Sequence, residues 1–299
     1  MSNLYFISQK IWYQAPESVR RLIRKLFQFT RSSPGERKAR LMKFRYEMAS
    51  RGLPLTKNEA RLLSLKDNHQ GQRAFIICNG PSLKQTDVRW LKDEITIACN
   101  GIFLMYDEMG FLPTYYTVED TLVAEDRAQE INAMRGVTKL IPRDLNYCLK
   151  QDPETIYINF VRDYRKKVPG FSDDFVRHVF WGGTVTYLSL QIAYFIGCRE
   201  IYLIGLDHSY RIPEKVEFEG TVITSHQDDV NHFHPDYFGK GYRWHHPLVE
   251  RMEIAYRKAK QFFDENNVKV FNASAKTELD VFPRISYTEL FKNKANNNS

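Results

Sequence analysis

Short apolar runs that end abruptly in small polar residues are the clearest feature of this chain. Two of them span residues 74–78 and 95–99, and an Asn-Gly pair follows each one directly. Apolar runs without polar alternation are typical of strands in a parallel sheet that is covered on both faces. Asn and Gly tolerate the positive φ of a sharp turn, and after the first pair Pro81 fixes the next φ and Ser82 is expected to cap a helix. Each run therefore predicts a buried strand, a tight turn and a helix start.

The rest of the chain continues this alternation. Further strands are predicted at residues 114–118, 137–141, 155–160, 200–204 and 268–271, and helices at residues 34–51, 57–65, 102–106, 121–134, 184–196 and 247–266. Asn100-Gly101 is also typical of a hairpin, but the helix-like segment after it favours a crossover between parallel strands. Residues 162–180 look irregular, and residues 210–246 form a long polar stretch of a kind that is usually functional or disordered. The alternation predicts an α/β fold, Rossmann-like and doubly wound around a mainly parallel sheet, with an N-terminal helical extension.

Charge divides the chain. Its 299 residues are 43% hydrophobic and 26% charged, as in soluble globular proteins. Residues 1–51 hold 12 Lys+Arg and 3 Asp+Glu, a net charge of +9, while the whole chain carries +7 and the remainder −2. We therefore predict a basic helical N-terminal extension at residues 1–70, a Rossmann-like catalytic domain at residues 71–291 and a disordered tail at residues 292–299.

The basic extension contains an amphipathic stretch. Arginines and a lysine occupy one helical face, and apolar residues recur at helical spacing on the other: Val19, Leu22, Ile23, Leu26 and Phe27. Such a helix suits an anionic membrane surface, here through residues 10–45, but the same stripe also suits a helix docked on the protein's own core. No nucleic-acid partner is expected, because no recognition motif accompanies the charge.

Cysteine use and hydropathy bear on the compartment. The four cysteines show no C-x-x-C spacing, and three lie in or beside apolar runs, which indicates reduced thiols in a reducing compartment. We find neither a signal-peptide pattern nor an apolar stretch long enough to span a bilayer. The expectation is a cytoplasmic protein that is peripheral on the inner membrane face.

Polar residues stand where the predicted strands end. They are Asn79, Asn100, Glu119, Asp120, Asp207 and Asn272. Because ligands of open α/β sheets bind beyond the carboxyl ends of the strands, we expect these side chains to share one crevice and to bind ribose, sugar or base edges. Each of them alone is an ordinary turn residue.

Two further groups of residues suggest chemistry. Gly182-Gly183-Thr184 opens a helix, where free N–H groups can bind a phosphate, although a plain turn with Thr184 as the N-cap is an equal alternative. Five histidines follow between residues 226 and 246: His226, His232, His234, His245 and His246. Their spacing fits no helical metal motif, so one catalytic imidazole, a metal site and surface histidines all remain open. His245 is best placed for catalysis, since it stands between Trp244 and Pro247 just before a helix.

Three stretches together carry a family resemblance. They are Cys78-Asn79-Gly80-Pro81-Ser82-Leu83-Lys84, Cys99-Asn100, and the run from Gly197 to Asp207. They resemble the small single-domain bacterial sialyltransferases, which use a CMP-activated nonulosonic acid and a histidine general base without a metal. They also resemble a related group that includes the 6-hydroxymethylpterin diphosphokinase MptE-like proteins. Residues 236–245 look typical of bacterial members in surface-carbohydrate settings, and the resemblance spans about residues 73–291.

The resemblance implies roles for individual residues. Asn79 and Gly80 match the nucleotide-binding turn, Asn100 matches the asparagine that contacts the donor, and His245 falls closest to the general base. Gly183 and Thr184 lie where the sialyltransferases have Thr-Ser-Gly at the same helix start. From the strand ends, the glycine turn and the resemblance together, we expect nucleotide or donor binding by Asn79, Gly80, Pro81, Ser82, Asn100, Glu119, Asp120, Gly182, Gly183, Thr184 and Asp207. The acidic pair Glu119-Asp120 stands where the sialyltransferases have Asn-Pro, and these two carboxylates also suit Mg²⁺ and a triphosphate.

The function expected from these residues is glycosyl transfer. A sugar, of the nonulosonic or sialic type, would move from a nucleotide sugar to a surface-glycan or lipid-linked acceptor, with no cofactor required. The alternative from another class is a pterin diphosphokinase-like enzyme that uses ATP and Mg²⁺, with Glu119, Asp120 and Asp207 on the metal. A third is a membrane-associated scaffold without catalysis.

Overall fold

The computed structural model describes Pro16, Glu17 and residues 33–292. Its strands are, in chain order, β1 (Arg73–Ile77), β2 (Ile95–Cys99), β3 (Tyr115–Thr117), β4 (Thr138–Pro142), β5 (Thr155–Ile158), β6 (Phe160–Val161), β7 (Val179–Phe180), β8 (Glu200–Ile204), β9 (Val216–Glu219), β10 (Val222–Ser225), β11 (Arg243–His245) and β12 (Lys269–Asn272). Its α-helices are α1 (Pro34–Ser50), α2 (Lys57–Ser64), α3 (Tyr106–Met109), α4 (Thr121–Asp126), α5 (Ala128–Ala133), α6 (Val185–Phe195), α7 (Val249–Glu265) and α8 (Tyr287–Leu290).

Seven strands form one parallel sheet in the order β12-β8-β1-β2-β3-β4-β5. The chain runs outward from β1 to β5 on one side and then returns to β8 and β12 on the other, so the strand order reverses beside β1. Every neighbouring pair is parallel, including β1 with β2 and β2 with β3. This confirms the predicted Rossmann-like, doubly wound fold and the crossover after Asn100-Gly101. A reversal of strand order opens a crevice at the carboxyl ends of the strands.

The sheet is covered on both faces, which explains its continuous apolar runs. Along β1, Ala74 and Ile76 face one buried cluster, while Phe75 and Ile77 face the other. Helices α6 and α7 supply much of the first cluster, and the segments from α3 to α5 together with α8 supply much of the second. Alternate residues of each central strand thus enter opposite cores, so both sets are mostly apolar. A polar residue such as Thr96 on β2 is buried there because its hydroxyl accepts from the Thr114 N–H at 3.0 Å.

Helices α1 and α2 pack against the edge of this sheet. The Tyr46 hydroxyl donates to the Tyr157 carbonyl at 3.0 Å, and Asn58 bonds both the N–H (2.7 Å) and the carbonyl (2.8 Å) of Tyr157 on β5. Tyr46 and Leu62 are buried in the first cluster. The boundary predicted at residue 70 stays a prediction, but residues 34–64 share a core with the sheet.

The predicted amphipathic stretch at residues 19–27 and most of the predicted tail lie outside the described residues. Within the part of the chain that the structure describes, no helix is long and apolar enough to cross a membrane.

Two sequence expectations need correction. The helix predicted at residues 121–134 is two short helices, because the chain leaves helical geometry at Arg127 (φ −113°, ψ 17°). The stretch at residues 210–246 is not a loop throughout: β9, β10 and β11 form an antiparallel sheet, here called the accessory sheet. The two corrections are linked, since Arg127 donates to the Asp236 and Tyr237 carbonyls and to the Tyr242 hydroxyl. The break in the helix thereby anchors the segment that carries the accessory sheet.

Candidate functional site

A cavity of about 720 Å³ opens at the carboxyl ends of β1, β2, β3 and β8, where the strand order reverses. The accessory sheet and the start of α6 close its other sides. The predicted site residues that line it are Asn79, Gly80, Asn100, Glu119, Asp120, Gly183, Thr184, Asp207 and His245. The structure therefore brings most of the predicted site together in a single crevice.

Four predicted residues do not line the cavity. They are Pro81, Ser82, Gly182 and Asn272. Pro81 begins a short 3-10 turn after β1. A Cβ on Gly182 would collide with the Tyr187 ring and lie 2.9 Å from the Ala255 Cβ, so this glycine is required for packing. Asn272 is buried on the edge strand β12, where its amide bonds the Ser274 N–H and the Thr277 hydroxyl, both at 3.1 Å.

Ser82 does not line the cavity but bonds a residue that does. The expectation that it caps a helix is wrong. Its hydroxyl and its N–H (2.9 Å) both donate to the Asp207 carboxylate. Asp207 is only 7% exposed, so these two donors stabilise a charge that burial would otherwise penalise. Ser82 thus fixes the orientation of Asp207 at the end of β8.

The turn after β1 requires glycine at position 80 because neighbouring atoms approach its Cα closely, and not because its φ is positive. Gly80 has φ −67°, and a Cβ there would lie 2.5 Å from Asp207 Oδ1 and 2.7 Å from the Gly205 carbonyl oxygen. The Gly80 N–H donates to that same carbonyl at 2.8 Å, which joins the turns after β1 and β8. The left-handed conformation occurs instead at Asn100, with φ 50°.

Asn79 presents an unsatisfied acceptor. Its side-chain N–H₂ donates to the Cys99 carbonyl at 3.2 Å, but its buried Oδ1 has no hydrogen-bond partner among the described residues. A buried acceptor without a partner costs about 1–3 kcal/mol. Because Asn79 lines the cavity, a ligand with an N–H or O–H donor would satisfy this oxygen.

Asp120 and His245 form an acid–imidazole pair across the cavity wall. Asp120 Oδ1 caps α4 by accepting from the Leu122 N–H at 2.8 Å, and Asp120 Oδ2 lies 2.8 Å from His245 Nδ1. The hydrogen bond with Asp120 raises the pKa of His245 against the opposing effect of burial. With Nδ1–H donating to the carboxylate, Nε2 is the nitrogen that carries a free lone pair.

The accessory sheet holds His245 in place. His245 lies on β11, where the Arg243 guanidinium two residues earlier pairs with Asp126, at the end of α4, and with Glu125 at 3.1 Å. The α4 helix is thus fixed to β11 at both of its ends, by Asp120 and by Asp126. These contacts limit the conformational freedom of the strand that carries His245.

Glu119 is buried and pairs with Arg162, a residue that sequence reasoning did not identify. Its carboxylate lies 3.2 Å from Arg162 Nη1, and the Arg162 Nη2 donates to the Glu119 carbonyl at 2.6 Å. Burial nevertheless raises the pKa of Glu119 to about 7, although Arg162 lowers it. Arg162 belongs to the irregular stretch after β6, so no motif marked it.

The acidic pair predicted as an alternative Mg²⁺ site does not fit that role. Glu119 is bound by Arg162, while the two oxygens of Asp120 are used by the α4 cap and by His245. Across the described ranges, no three His, Cys, Asp or Glu side chains converge as metal ligands.

The five clustered histidines do not act as one group. His232 bonds Asp229 at 2.8 Å and stacks on Tyr237, His234 lies near Asp236, and exposed His226 lies near Glu217. Only His232, His245 and His246 of the five line the cavity.

His208 is a cavity residue that motif reasoning passed over. It is buried at φ 54°, its Nε2 lies 3.6 Å from Glu253, and burial lowers its pKa. The sequence signal was its position directly after Asp207 at a strand end. Tyr164 and Trp181, which also line the cavity, carried no comparable signal.

Comparison with known proteins gives a match for the part of the chain that forms most of the central sheet. The family model described as 6-hydroxymethylpterin diphosphokinase MptE-like matches residues 54–213, slightly more than half of the chain. The match runs through β8, so it includes Asn79, Asp120 and Asp207 but ends before β9 and His245. A search of curated proteins gave no match. Family membership indicates a transferase, and the chain belongs to the 6-hydroxymethylpterin diphosphokinase MptE-like family.

Proposed function

We propose that this protein is a glycosyltransferase that moves a sugar of the nonulosonic or sialic type from a nucleotide-activated donor to a hydroxyl of a surface-glycan or lipid-linked acceptor. The observation that carries the proposal is the Asp120–His245 pair, at 2.8 Å, on the wall of a cavity of about 720 Å³. A cavity of that size is in the range that holds a small nucleotide-type ligand.

The paired histidine acts as the general base. Nε2 of His245 accepts the proton of the acceptor hydroxyl as that oxygen attacks the anomeric carbon of the donor, and the bond from this carbon to the donor phosphate breaks. The nucleotide leaves with the electron pair of that bond. Asp120 holds the ring in the required tautomer and stabilises the imidazolium that forms, which is the reason a carboxylate beside a catalytic histidine accelerates proton transfer.

The nucleotide lies on the sheet side of the cavity in this proposal. Asn79 Oδ1 offers an unused acceptor for a base or ribose donor, and the missing Cβ of Gly80 lets the Asp207 carboxylate approach the turn beside it. Gly183 and Thr184 line the same cavity at the start of α6, where helix N–H groups favour an anion. The Thr184 hydroxyl itself accepts from the Thr186 N–H at 3.3 Å, so the site for phosphate is the backbone beside it.

The diphosphokinase alternative has less support from these residues. It requires open carboxylates for Mg²⁺, whereas Glu119, Asp120 and Asp207 all have protein partners. The family model also ends at residue 213, so its name does not describe the segment that contributes His245.

A thermal-shift panel followed by one variant tests the proposal. CMP or a CMP-activated sugar should raise the melting temperature without metal, since a ligand at 100 times its Kd adds about 2.7 kcal/mol of stability. His245→Ala should then abolish transfer, while His226→Ala, at an exposed histidine that does not line the cavity, should leave it unchanged. Stabilisation by ATP only with Mg²⁺ would favour the diphosphokinase, and no stabilisation by any nucleotide would favour a scaffold. Full activity of His245→Ala would refute the assigned base.

We also propose that the protein works at the cytoplasmic face of the inner membrane, where lipid-linked acceptors accumulate. Support comes from the net charge of +9 in residues 1–51. Removal of residues 1–30 should abolish sedimentation with phosphatidylglycerol vesicles and leave nucleotide binding intact. Unchanged sedimentation would refute the membrane role without affecting the catalytic one.

A further inference from the structure

An aromatic pair stands at the mouth of the cavity, and neither the family nor the base mechanism assigns it a role. The Tyr164 ring meets the Trp181 ring edge-on, with centroids 4.6 Å apart, and both residues line the cavity. Tyr164 is nevertheless 63% exposed, although burying a tyrosine ring is favourable. We call this pair the aromatic platform.

The platform is held rigidly in place. The Arg251 guanidinium of α7 stacks over Trp181 at 4.7 Å from the ring centroid. The same guanidinium donates to the carbonyls of Lys166, Lys167 and Asp163, which lie in the loop that carries Tyr164. One half-buried cation therefore ties the Trp181 ring to the loop that carries Tyr164, so the exposed face of Tyr164 is preorganised for a ligand.

The platform lines the same cavity as the proposed base. Tyr164 is two residues after Arg162, which bonds Glu119, and Glu119 is adjacent to the Asp120 that holds His245. Arg162 is close enough to influence the pKa of His245. A molecule stacked on Tyr164 would extend from the cavity mouth toward this imidazole.

Basic residues follow Tyr164 in the same loop. Arg165, Lys166 and Lys167 directly follow Tyr164, and the Arg165 side chain is 95% exposed. Arg165 pairs with Asp163 at 3.6 Å, while Lys166 and Lys167 form no ion pair with any residue that the structure describes. Such a cluster attracts anions to a site. Aromatic rings bind the apolar C–H faces of sugar rings, so the combination favours a negatively charged saccharide.

We infer that the aromatic platform is the acceptor subsite and that it binds an anionic glycan by stacking a sugar ring on Tyr164, with Arg165, Lys166 and Lys167 contacting its acidic groups. This inference rests on the proposed function for the word acceptor, but the binding of an anionic sugar does not depend on catalysis. It can therefore be tested separately.

The experiment titrates a sialic acid trisaccharide and neutral maltotriose into the full-length protein by calorimetry. Wild type should bind the sialic acid trisaccharide more tightly than maltotriose. Tyr164→Ala should bind it about three- to tenfold more weakly, as expected for the loss of one aromatic stacking contact, while Tyr164→Phe should bind as wild type does. The Lys166→Glu/Lys167→Glu variant should lose the preference for the anionic sugar.

Controls separate this inference from its alternatives. Tyr147→Ala removes a similarly exposed tyrosine that does not line the cavity, and it should bind as wild type does. Equal affinity of Tyr164→Ala and wild type would overturn the inference, as would retention of the protein by phosphatidylglycerol vesicles with no sugar binding. Sugar binding that requires Tyr164 would support it, even if no nucleotide sugar were turned over and the proposed transfer reaction failed.

Discussion

Replacing Asp120 by Asn tests how the orientation of His245 is set. Asp120 uses Oδ1 to cap α4, through the Leu122 N–H at 2.8 Å, and uses Oδ2 to accept from His245 Nδ1 at 2.8 Å. Asn is as good an N-cap as Asp, and loss of a cap costs about 0.5–2 kcal/mol, so the Asn oxygen should remain on α4. Its N–H₂ group then faces Nδ1 and donates to it. The proton of the neutral imidazole moves to Nε2, and the lone pair that accepts the substrate proton is lost.

The expected loss is that of a general base, about 10²- to 10⁴-fold in kcat/KM. This corresponds to about 2.7–5.4 kcal/mol of transition-state stabilisation. Stability should change little, since the cap is kept and the imidazole is half-exposed. The pH profile of activity gives an independent test of the pair, because Asp120 raises the pKa of His245 above its ordinary value of 6.5. The acidic limb of wild-type activity therefore lies above pH 6.5, and in Asp120→Asn any residual activity has its limb at lower pH.

The assay is transfer from the nucleotide sugar identified by thermal shift, measured from pH 5 to 9. Asp87→Asn is a matched control, because Asp87 also caps a short helix, through the Arg89 N–H at 3.2 Å, but does not line the cavity. It should retain wild-type kcat/KM. If Asp120→Asn kept kcat/KM within about twofold and the acidic limb did not move, the pair would not be the catalytic base.

Three further predictions concern stability. Gly80→Ala should lower the free energy of unfolding by about 1–3 kcal/mol in urea, because its Cβ would lie 2.5 Å from a carboxylate oxygen, whereas Gly35→Ala, with no atom nearer than 4.0 Å, should not be destabilised. Tyr46→Phe should cost about 1–3 kcal/mol, because it removes one of the two donors to the Tyr157 carbonyl and leaves the Arg143 Nε–H without the hydroxyl that accepts from it at 3.0 Å; an effect below about 0.5 kcal/mol would mean that α1 is not part of the folded core. Glu119→Gln should change the pH dependence of the melting temperature: the pKa of Glu119 is raised from 4.5 to about 7, so its stabilisation is complete below pH 4.5 and is lost as pH rises through 7. The wild type should therefore lose stability relative to the variant over that range, and parallel curves would contradict the assignment.

The central sheet was predictable because each of its strands is a local signal. Residues 74–77 and 95–99 are apolar on both sides, and a polar turn ends each strand at its carboxyl end. The place of the cavity could be predicted from topology alone, since the carboxyl ends of parallel strands all lie at the same edge of the sheet. Asn272 failed this rule because β12 is an edge strand, separated from β1 by β8.

The remaining parts of the site depend on long-range contacts that leave no local pattern. Arg127 interrupts a helix in order to reach carbonyls more than 100 positions later in the chain, and Arg162 reaches Glu119 from another part of the chain. The role of Ser82 was missed for the same reason: a serine after a turn is a typical cap, but here Asp207 lies close enough to take both of its donors. Tertiary partners override local preference wherever they offer a stronger hydrogen bond.

The division of the Asp120–His245 pair between two sheets has a consequence for engineering. The imidazole belongs to the accessory sheet, beyond the segment that the family model matches, whereas the carboxylate that orients it belongs to the central domain. Polar contacts join the two parts at Asp120 with His245, at Asp126 with Arg243, and at Arg127 with the segment between β10 and β11. That segment also buries Phe233 and Tyr237 in the second cluster, and the Phe233 N–H donates to the Asn79 carbonyl at 2.9 Å. Residues 216–245 can therefore be exchanged only together with the core positions that Phe233 and Tyr237 fill. A chimera that keeps Asp120, Asp126 and Arg127, together with aromatic residues at positions 233 and 237, should fold with a new accessory sheet while the central sheet and its side of the cavity stay unchanged.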